Sequence, residues 1–353
     1  MLVLVTGGTG FVGSHAVARF VAAGHQVRVL ARDPSKVAAV LAPHGLSPEG
    51  VRTASSESTT RYAHVQVARG DMTDPEAVGA ALEGCDAVVH AAAEVGVAGG
   101  TGPTGGGNVE GVRQVVGQAV ERGLDPILYT STITAYLPTD RDVVDLSTPL
   151  AEPQSAYGRA KQEAEVLVRG WQAQGAPIAT FVIGGVYGPI SPHFDGSFAA
   201  LQSAVEMLMG VTDGGLGVVD VRDLASLLTA ALESGRGPRR YLAGGRYVTW
   251  GEWTDCLSEA IGREVPKHAM TADDMLAMGR DLDARRAAGE QVDMPLSEEA
   301  AVIMAAGVPT DDAPTLSDLG VAYRPIVETF ADAVAWLVEQ GRLDPALVPA
   351  VRS

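Results

Sequence analysis

Cysteine is nearly absent. Two residues, Cys85 and Cys256, in a chain of 353 exclude a disulfide framework and make a reducing cytoplasm the expected compartment. Each reads as a small buried hydrophobe. Positive charge is scarce too: 26 Lys and Arg stand against 43 Asp and Glu, a formal net charge of −17. That balance excludes nucleic acid and an anionic membrane surface as partners, since both need a basic face. It leaves room for a phosphorylated cofactor, which needs only a local positive spot. Long apolar runs are also missing. No stretch reaches the roughly 18 uninterrupted apolar residues of a membrane span, and no basic segment precedes the first apolar run, so neither a span nor a secretory leader is expected. The remaining composition, 46% apolar and 20% charged, is that of an ordinary soluble globular chain, and no metal site is expected.

Glycine, by contrast, is concentrated where it can act. The apolar run Leu2 to Val5 suits a buried strand, and Gly7, Gly8, Gly10 and Gly13 follow it, with an amphipathic stretch from Phe11 to Ala23 after them. Strand, glycine turn and helix in that order aim backbone N–H groups and a helix N-terminus at a phosphate. The spacing Gly7-x-x-Gly10-x-x-Gly13 differs by one from G-x-G-x-x-G.

The first half alternates two periods. Strands are expected at Leu2–Thr6, Gln26–Ala31, His64–Ala68, Ala87–His90, Ile127–Ser131 and Ile178–Ile183. Helices are expected at Phe11–Ala23, Pro34–Ala42, Pro75–Leu82, Val109–Arg122 and Ser155–Gln174. Strands that are nearly all apolar, with helices between them, give an α/β fold with a doubly wound, Rossmann-like parallel sheet. The polar stretch His44 to Tyr62 reads as a surface excursion. The glycine-dominated stretch Gly96 to Gly107 is either a connector or a flap beside the ligand. Beyond about Gly184 the alternation stops: helices are expected at Phe198–Met209, Leu224–Glu233, Ala272–Gly289 and Ile326–Gln340, a strand at Arg240–Ala243, and a capping box from Thr249 to Glu252 opening a helix to Ile261. Residues 1–185, with a return near 218–245, form the expected cofactor domain; 186–217 and 246–353 form a smaller substrate-binding part.

Two positions bear on chemistry. The second strand ends Ala31-Arg32-Asp33, with Lys36 following. A carboxylate at that strand end would hold a ribose hydroxyl, whereas a guanidinium pairs with a 2′-phosphate, so NADP(H) is expected ahead of NAD(H). Tyr157-Gly-Arg-Ala-Lys161 places a phenol and an ammonium one helical turn apart on one face. Lowering a tyrosine pKa from about 10 by roughly three units takes near 4 kcal/mol of differential stabilisation of the anion, which Lys161 and a positive nicotinamide ring can supply. Upstream, the strand ending Tyr129-Thr130-Ser131-Thr132 offers hydroxyls that can bond the substrate oxygen.

Taken in order, T-G-G-T-G-F-V-G-S-H (Thr6–His15), G-D-M-T-D (Gly70–Asp74), H-A-A-A (His90–Ala93), N-V-E-G (Asn108–Gly111), Y-T-S-T (Tyr129–Thr132), Y-G-R-A-K (Tyr157–Lys161) and V-Y-G-P (Val186–Pro189) resemble the extended short-chain dehydrogenase/reductases, the epimerase/dehydratase-like family that includes dihydroflavonol reductases and hydroxysteroid dehydrogenases. Weaker echoes follow in Val218–Ala225 and Leu319–Pro325. The resemblance implies that Gly7, Gly10 and Gly13, with Thr9, Phe11 and Val12, hold the pyrophosphate, and Asp71 with Met72 the adenine. It implies that Ala91, Ala92 and Ala93 line the cofactor channel, with Thr130, Gly184 and Val186 further contacts. Tyr157 would be the acid/base and Lys161 would bind the nicotinamide ribose. Thr132 would polarise the substrate carbonyl, with Ser131 as the alternative; Glu94, His193 and Phe194 would face substrate. One departure stands out: relatives carry a proline before V-Y-G-P, where this chain has Ile183-Gly184-Gly185. A homodimer through Val109–Arg122 and Ser155–Gln174 is also implied, unless their apolar residues serve only the sheet.

These readings favour an NADP(H)-dependent oxidoreductase interconverting a carbonyl and a secondary alcohol on a small organic molecule. The alternatives are a redox-neutral epimerase or dehydratase of a sugar nucleotide with tightly held NAD, and a non-catalytic NADP-binding regulator.

Overall fold

The computed structural model describes residues 1–47, 51–53, 64–93, 106–152, 156–292, 294 and 296–351. The side chains of Arg52, Thr53, Ala156, Tyr157 and Glu299, and the expected site residue Glu94, lie outside this description.

The N-terminal half runs β1 (Leu2–Thr6), α1 (Phe11–Ala22), β2 (Gln26–Ala31), α2 (Val37–Leu41), β3 (Val51–Thr53), β4 (Val65–Arg69), α3 (Pro75–Leu82), β5 (Ala87–His90), α4 (Gly106–Glu121), β6 (Ile127–Thr132), α5 (Ala156–Ala173) and β7 (Ile178–Ile183). After these come β8 (Gly185–Tyr187), α6 (Gly196–Glu206), β9 (Met209–Val211), β10 (Gly215–Asp220), α7 (Val221–Ala230), β11 (Arg239–Ala243), β12 (Arg246–Thr249) and α8 (Trp250–Ile261). The chain closes with β13 (Lys267–Ala269), α9 (Ala272–Ala287), α10 (Glu298–Ala306), α11 (Ala313–Leu319) and α12 (Ile326–Glu339).

The main sheet has eight strands in the order β11-β7-β6-β5-β1-β2-β4-β3, every pair parallel. Both faces are covered, which is why β1, β5 and β7 are nearly all apolar. Val3, Val5, Val27 and Val29 pack under α1, α2 and α7; Leu4, Val88, Ile127 and Ile178 pack under α3, α4 and α5. Strand order reverses at β1, so the crevice for a ligand opens at the carboxyl ends of β1 and β5. A three-stranded sheet, β12-β10-β8, and a two-stranded one, β13-β9, stand beside it. A third core, built on Tyr187, Trp253 and Phe330, joins α6, α8 and α12 and reaches Phe11 of α1.

Several elements differ from expectation. Pro34–Ala42 is a 3-10 turn over Pro34–Lys36 followed by the short α2, because Asp33 caps that turn at once through Ser35 N. The helix expected to reach Met209 stops at Glu206, and Met209 enters β9, pairing with Lys267. The stretch read as surface excursion contributes the edge strand β3, paired with β4, and the polar segment before the last helix contains α10 and α11. The capping box at Thr249 is present, with Thr249 Oγ1 accepting from Glu252 N and Glu252 Oε2 accepting from Thr249 N.

The two weak motif echoes meet in space. Asp220, at the end of β10, accepts from Arg222 Nε at 2.9 Å and from Nη2 at 2.8 Å. Asp223 accepts from the Arg324 backbone N–H at 2.8 Å and from its Nη2 at 2.8 Å, and Arg324 Nε lies 3.5 Å from Asp220. Arg222 also reaches Asp332 on α12 at 2.6 Å. The carboxylates are 1% and 7% exposed, so these ion pairs sit largely out of water and seat the segment before α12 on the Rossmann half. Burial pushes the Asp220 carboxyl up, but hydrogen bonds and charge from Arg222 and the charge of Arg324 outweigh it, and the net shift is down. Stability from Asp220 is therefore full above the unfolded carboxyl value of about 3.9 and is lost as pH falls through the lower folded one. Arg324→Ala takes the side-chain cation from buried Asp223 and leaves Asp220 with Arg222 alone, and is expected to cost about 3 kcal/mol in urea unfolding, with acid unfolding beginning at higher pH. An unchanged midpoint would show that this cluster does not seat the C-terminal segment.

Candidate active site

At the end of β1 the chain turns with Gly7 at φ +75°. A β-carbon there would lie 2.6 Å from Ala92 N, and one at Gly13 would lie 2.0 Å from Gly7 O. At Gly10 it would meet only Gly7 O, at 3.2 Å. Gly7 and Gly13 are thus needed for the turn itself, while Gly10 leaves the approach to α1 open. Gly10 is the N-cap of α1 with no side-chain cap, and no acidic residue stands in the first turn. First-turn amides have no acceptor inside a helix, so these donors and the positive end of the helix dipole fit a phosphate. Phe11 is buried against His15 and Phe198, and Val12 packs on the first core. Those two residues have backbone, not side chains, to offer a ligand; Thr9 is half-buried.

The end of β2 lies beside this turn. Ala31 is buried. Arg32 is exposed and has no hydrogen bond or ion pair among the described residues. Asp33 is occupied elsewhere: it accepts from Ser35 N at 3.1 Å and Ser35 Oγ at 2.6 Å, with Lys36 Nζ 3.8 Å away. The Ser35 hydrogen bonds hold its carboxyl below the usual range. Across the crevice Asp71 folds back on Thr73, whose N–H and hydroxyl it accepts at 2.9 and 2.8 Å. The Thr73 backbone bond, the hydroxyl and the charge of Arg32 lower its pKa against the opposing effect of burial. Met72 packs on Gly111 of α4, its Sδ 2.8 Å from where a β-carbon would stand.

Beyond the reversal point, His90 at the end of β5 bonds Thr6 Oγ1 through Nδ1 at 2.7 Å. Complete burial, then the charge of Lys161, push its pKa down to about 3, so it stays neutral. Ala91 and Ala92 are half-buried and Ala93 is exposed. Thr130 donates to His90 O at 3.2 Å. Ser131 is 4% exposed and its hydroxyl has no hydrogen-bond partner among the described residues. Thr132 is half-buried and caps the 3-10 turn Ile133–Tyr136, its hydroxyl accepting from Thr134 N and lying 3.1 Å from Thr134 Oγ1. Of the two candidates, Thr132 has the accessible surface. Tyr157 enters α5 at its second residue. Lys161, one turn on, is 6% exposed; burial pushes its ammonium down to about 8 against the opposing charge of Glu165.

Within Ile183-Gly184-Gly185, Gly184 donates its N–H to Ala243 O at 3.2 Å, and a β-carbon there would fall 2.0 Å from Gly244 O. Proline could make neither the bond nor the approach. Val186 is half-buried. The loop after β8 is fastened to α1 by His15, whose Nε2 meets Pro189 O at 3.0 Å and Ile190 O at 3.1 Å. His193 is exposed, and Phe194 lies under Arg342, its ring centre 4.4 Å from the guanidinium carbon. Sequence reasoning missed His15, although the residue ends the glycine motif. It also missed Glu165 and Arg169, which on a helix read as an ordinary surface pair.

Residues 3–244 match the NAD dependent epimerase/dehydratase family. Across nearly full length, the chain is 27% identical to "Sterol demethylase protein B" of Methylococcus capsulatus, over 97% of this chain and 100% of that one. It is 26% identical to a "Putative dihydroflavonol 4-reductase" of Synechocystis, over 96% and 94%. Among solved structures, that of gox2253 superposes with a TM-score of 0.72 at 26% identity, covering 97% of this chain and 99% of that one. A UDP-glucose-4-epimerase from Stenotrophomonas maltophila with bound NAD shares the fold at TM-score 0.73 and 20% identity, over 97% and 99%. Among the described residues no helix is long and apolar enough to cross a membrane. The protein belongs to the NAD dependent epimerase/dehydratase family and is an NAD(P)-dependent enzyme of the extended short-chain dehydrogenase/reductase type.

Proposed function

We propose that the protein is an NADP(H)-dependent oxidoreductase that interconverts a carbonyl and a secondary alcohol on an uncharged small organic substrate. The observation that carries the choice over a sugar-nucleotide enzyme is a census of positive charge. Residues 186–217 contain no Lys or Arg. From 246 to 351, each described basic side chain already has a protein partner. Arg246 and Arg263 donate to backbone carbonyls. Lys267, Arg280, Arg285, Arg286 and Arg324 pair with carboxylates, and Arg342 covers Phe194. Apart from Arg342 over Phe194, a substrate diphosphate would find no described cation in this half of the site that is not already held by protein oxygens, whereas a neutral carbonyl compound needs none.

In this reading the glycine turn and the first-turn amides of α1 hold the pyrophosphate, and Arg32 with Lys36 receives the 2′-phosphate. Asp71 and Met72 border the adenine, and Ala91 to Ala93, Thr130, Gly184 and Val186 line the channel. A bound nicotinamide supplies or accepts the hydride. Tyr157 gives a proton to the carbonyl oxygen, or takes one from the alcohol. Lys161 holds the ribose and stabilises the phenolate, Thr132 hydrogen-bonds the substrate oxygen, and Glu94, His193 and Phe194 border the substrate. The protein is proposed to act in the cytoplasm, as a homodimer through α4 and α5. The competing reading, a redox-neutral epimerase, draws on solved neighbours that hold NAD with a sugar nucleotide.

Tyr157→Phe is expected to keep the fold and NADPH affinity and to lower turnover at least about a hundredfold; normal turnover would remove Tyr157 from the mechanism. Cofactor choice is tested separately by NADPH and NADH titration. Ala31→Asp with Arg32→Asn should weaken NADPH at least about tenfold, the worth of one charge-assisted contact, and leave NADH unchanged or tighter. Equal affinity of the wild type for both cofactors at physiological salt would make Arg32 irrelevant and favour the epimerase.

A further inference from the structure

Helix α5 carries a second set of polar side chains that the reaction above leaves unused. Glu165 lies one turn beyond Lys161 and has no exposed surface. Its Oε1 accepts from Arg169 Nε at 3.2 Å, while Oε2 is buried without a hydrogen-bond partner among the described residues. Arg169 reaches further: its Nη2 donates to the Tyr136 hydroxyl at 2.5 Å, and its guanidinium carbon stands 5.5 Å from the Tyr136 ring centre. Tyr136 ends the 3-10 turn that Thr132 caps. Positions 161, 165 and 169 share one helix face, so cation, carboxylate and cation alternate along it and end on the hydroxyl turn.

A carboxylate buried with one oxygen unpartnered destabilises the fold unless its charge is used. The surroundings name the use. His90, facing from β5, is neutral. From β11, Arg240 acts on Tyr136. Helix α4 meets α5 through Val112, Val115 and Val116, and its Glu110 and Arg113 pair with each other at the surface. On α5 itself Arg159 and Glu163 are exposed. Glu165 is thus the buried carboxylate on the face that carries Lys161 and Arg169.

We propose that Glu165, buried one helical turn beyond Lys161, is a positioning residue that acts through Lys161 by keeping its ammonium charged, while Arg169 holds Glu165 and, through the Tyr136 hydroxyl, ties α5 to the turn that presents Thr132. This rests on the reading of Lys161 as the group that binds the cofactor ribose and tunes Tyr157. Burial drives Lys161 toward the neutral form and Glu165 opposes it. Without that carboxylate, Lys161 gives up its proton at lower pH.

The experiment uses Glu165→Gln, with thermal melting to establish that it folds. NADPH binding is followed by fluorescence across pH, alongside the pH profiles of kcat and KM. The alkaline limb of cofactor binding, and of turnover, is expected to move down by about one pH unit, with near-normal behaviour recovered on the acid side. Glu165→Asp, which keeps the charge but draws it back by one methylene, should move the limb in the same direction by a clearly smaller amount. A folded Gln variant whose limb stays in place, or whose loss is uniform across pH, overturns the proposal. Should the Gln variant not fold, Glu165→Asp carries the test through a smaller shift in the same direction, and no shift overturns it. Wild-type protein that binds NADPH but reduces no carbonyl would sink the oxidoreductase reading, and the binding titration would still decide on Glu165.

Discussion

Between the end of β1 and the first turn of α1 the backbone passes so close to itself that a single β-carbon at Gly13 would stand 2.0 Å from the Gly7 carbonyl. The same turn lies flush against Ala91 and Ala92 at the end of β5. This contact sets the distance between the two strands at which the sheet reverses, and therefore the width of the crevice above them. It also aims the uncapped amides of α1 into that crevice. Around it the other parts are fastened in sequence: His15 binds the loop after β8 to α1, Thr6 binds His90, and Gly184 lets β7 approach β11.

The separation of roles follows from this geometry. Phosphate recognition needs only backbone and helix dipole, so it can sit in an acidic protein with few cations. In the proposed function, choice of cofactor falls to the end of β2, where Arg32 is exposed and Asp33 is engaged with Ser35. In the same proposal, proton handling falls to α5, where Lys161 and Glu165, one turn apart, are both buried. The C-terminal half spends its basic residues on its own construction, the Asp220–Arg222–Asp223–Arg324 cluster above all.

How much of this was legible in the sequence depended on the range of the interactions. The strands Leu2–Thr6, Gln26–Ala31, Ala87–His90 and Ile178–Ile183 agree with the structure residue for residue, because burial on both faces writes itself as an apolar run. The capping box at Thr249 is local chemistry and was equally readable. Strands of three residues, such as β3, β8, β9 and β13, are too short to carry a period and are made by their neighbours. Arg324 and Asp223 stand 101 positions apart, and no spacing rule connects them. Glu165 and Arg169 were hidden for the opposite reason: their spacing is that of a common solvated pair, and only burial distinguishes them.

The central claim is that hydride passes between the cofactor and a carbinol carbon while the chain supplies the proton. The direct measurement is to incubate the protein with NADPH carrying deuterium at the transferable nicotinamide C4 position and a set of neutral ketones and aldehydes, and to analyse the products by mass spectrometry. The account requires one deuterium on the carbinol carbon of the alcohol formed for each NADPH consumed. No NADPH consumption, together with NAD that stays bound through purification, would contradict it and assign the fold to redox-neutral chemistry.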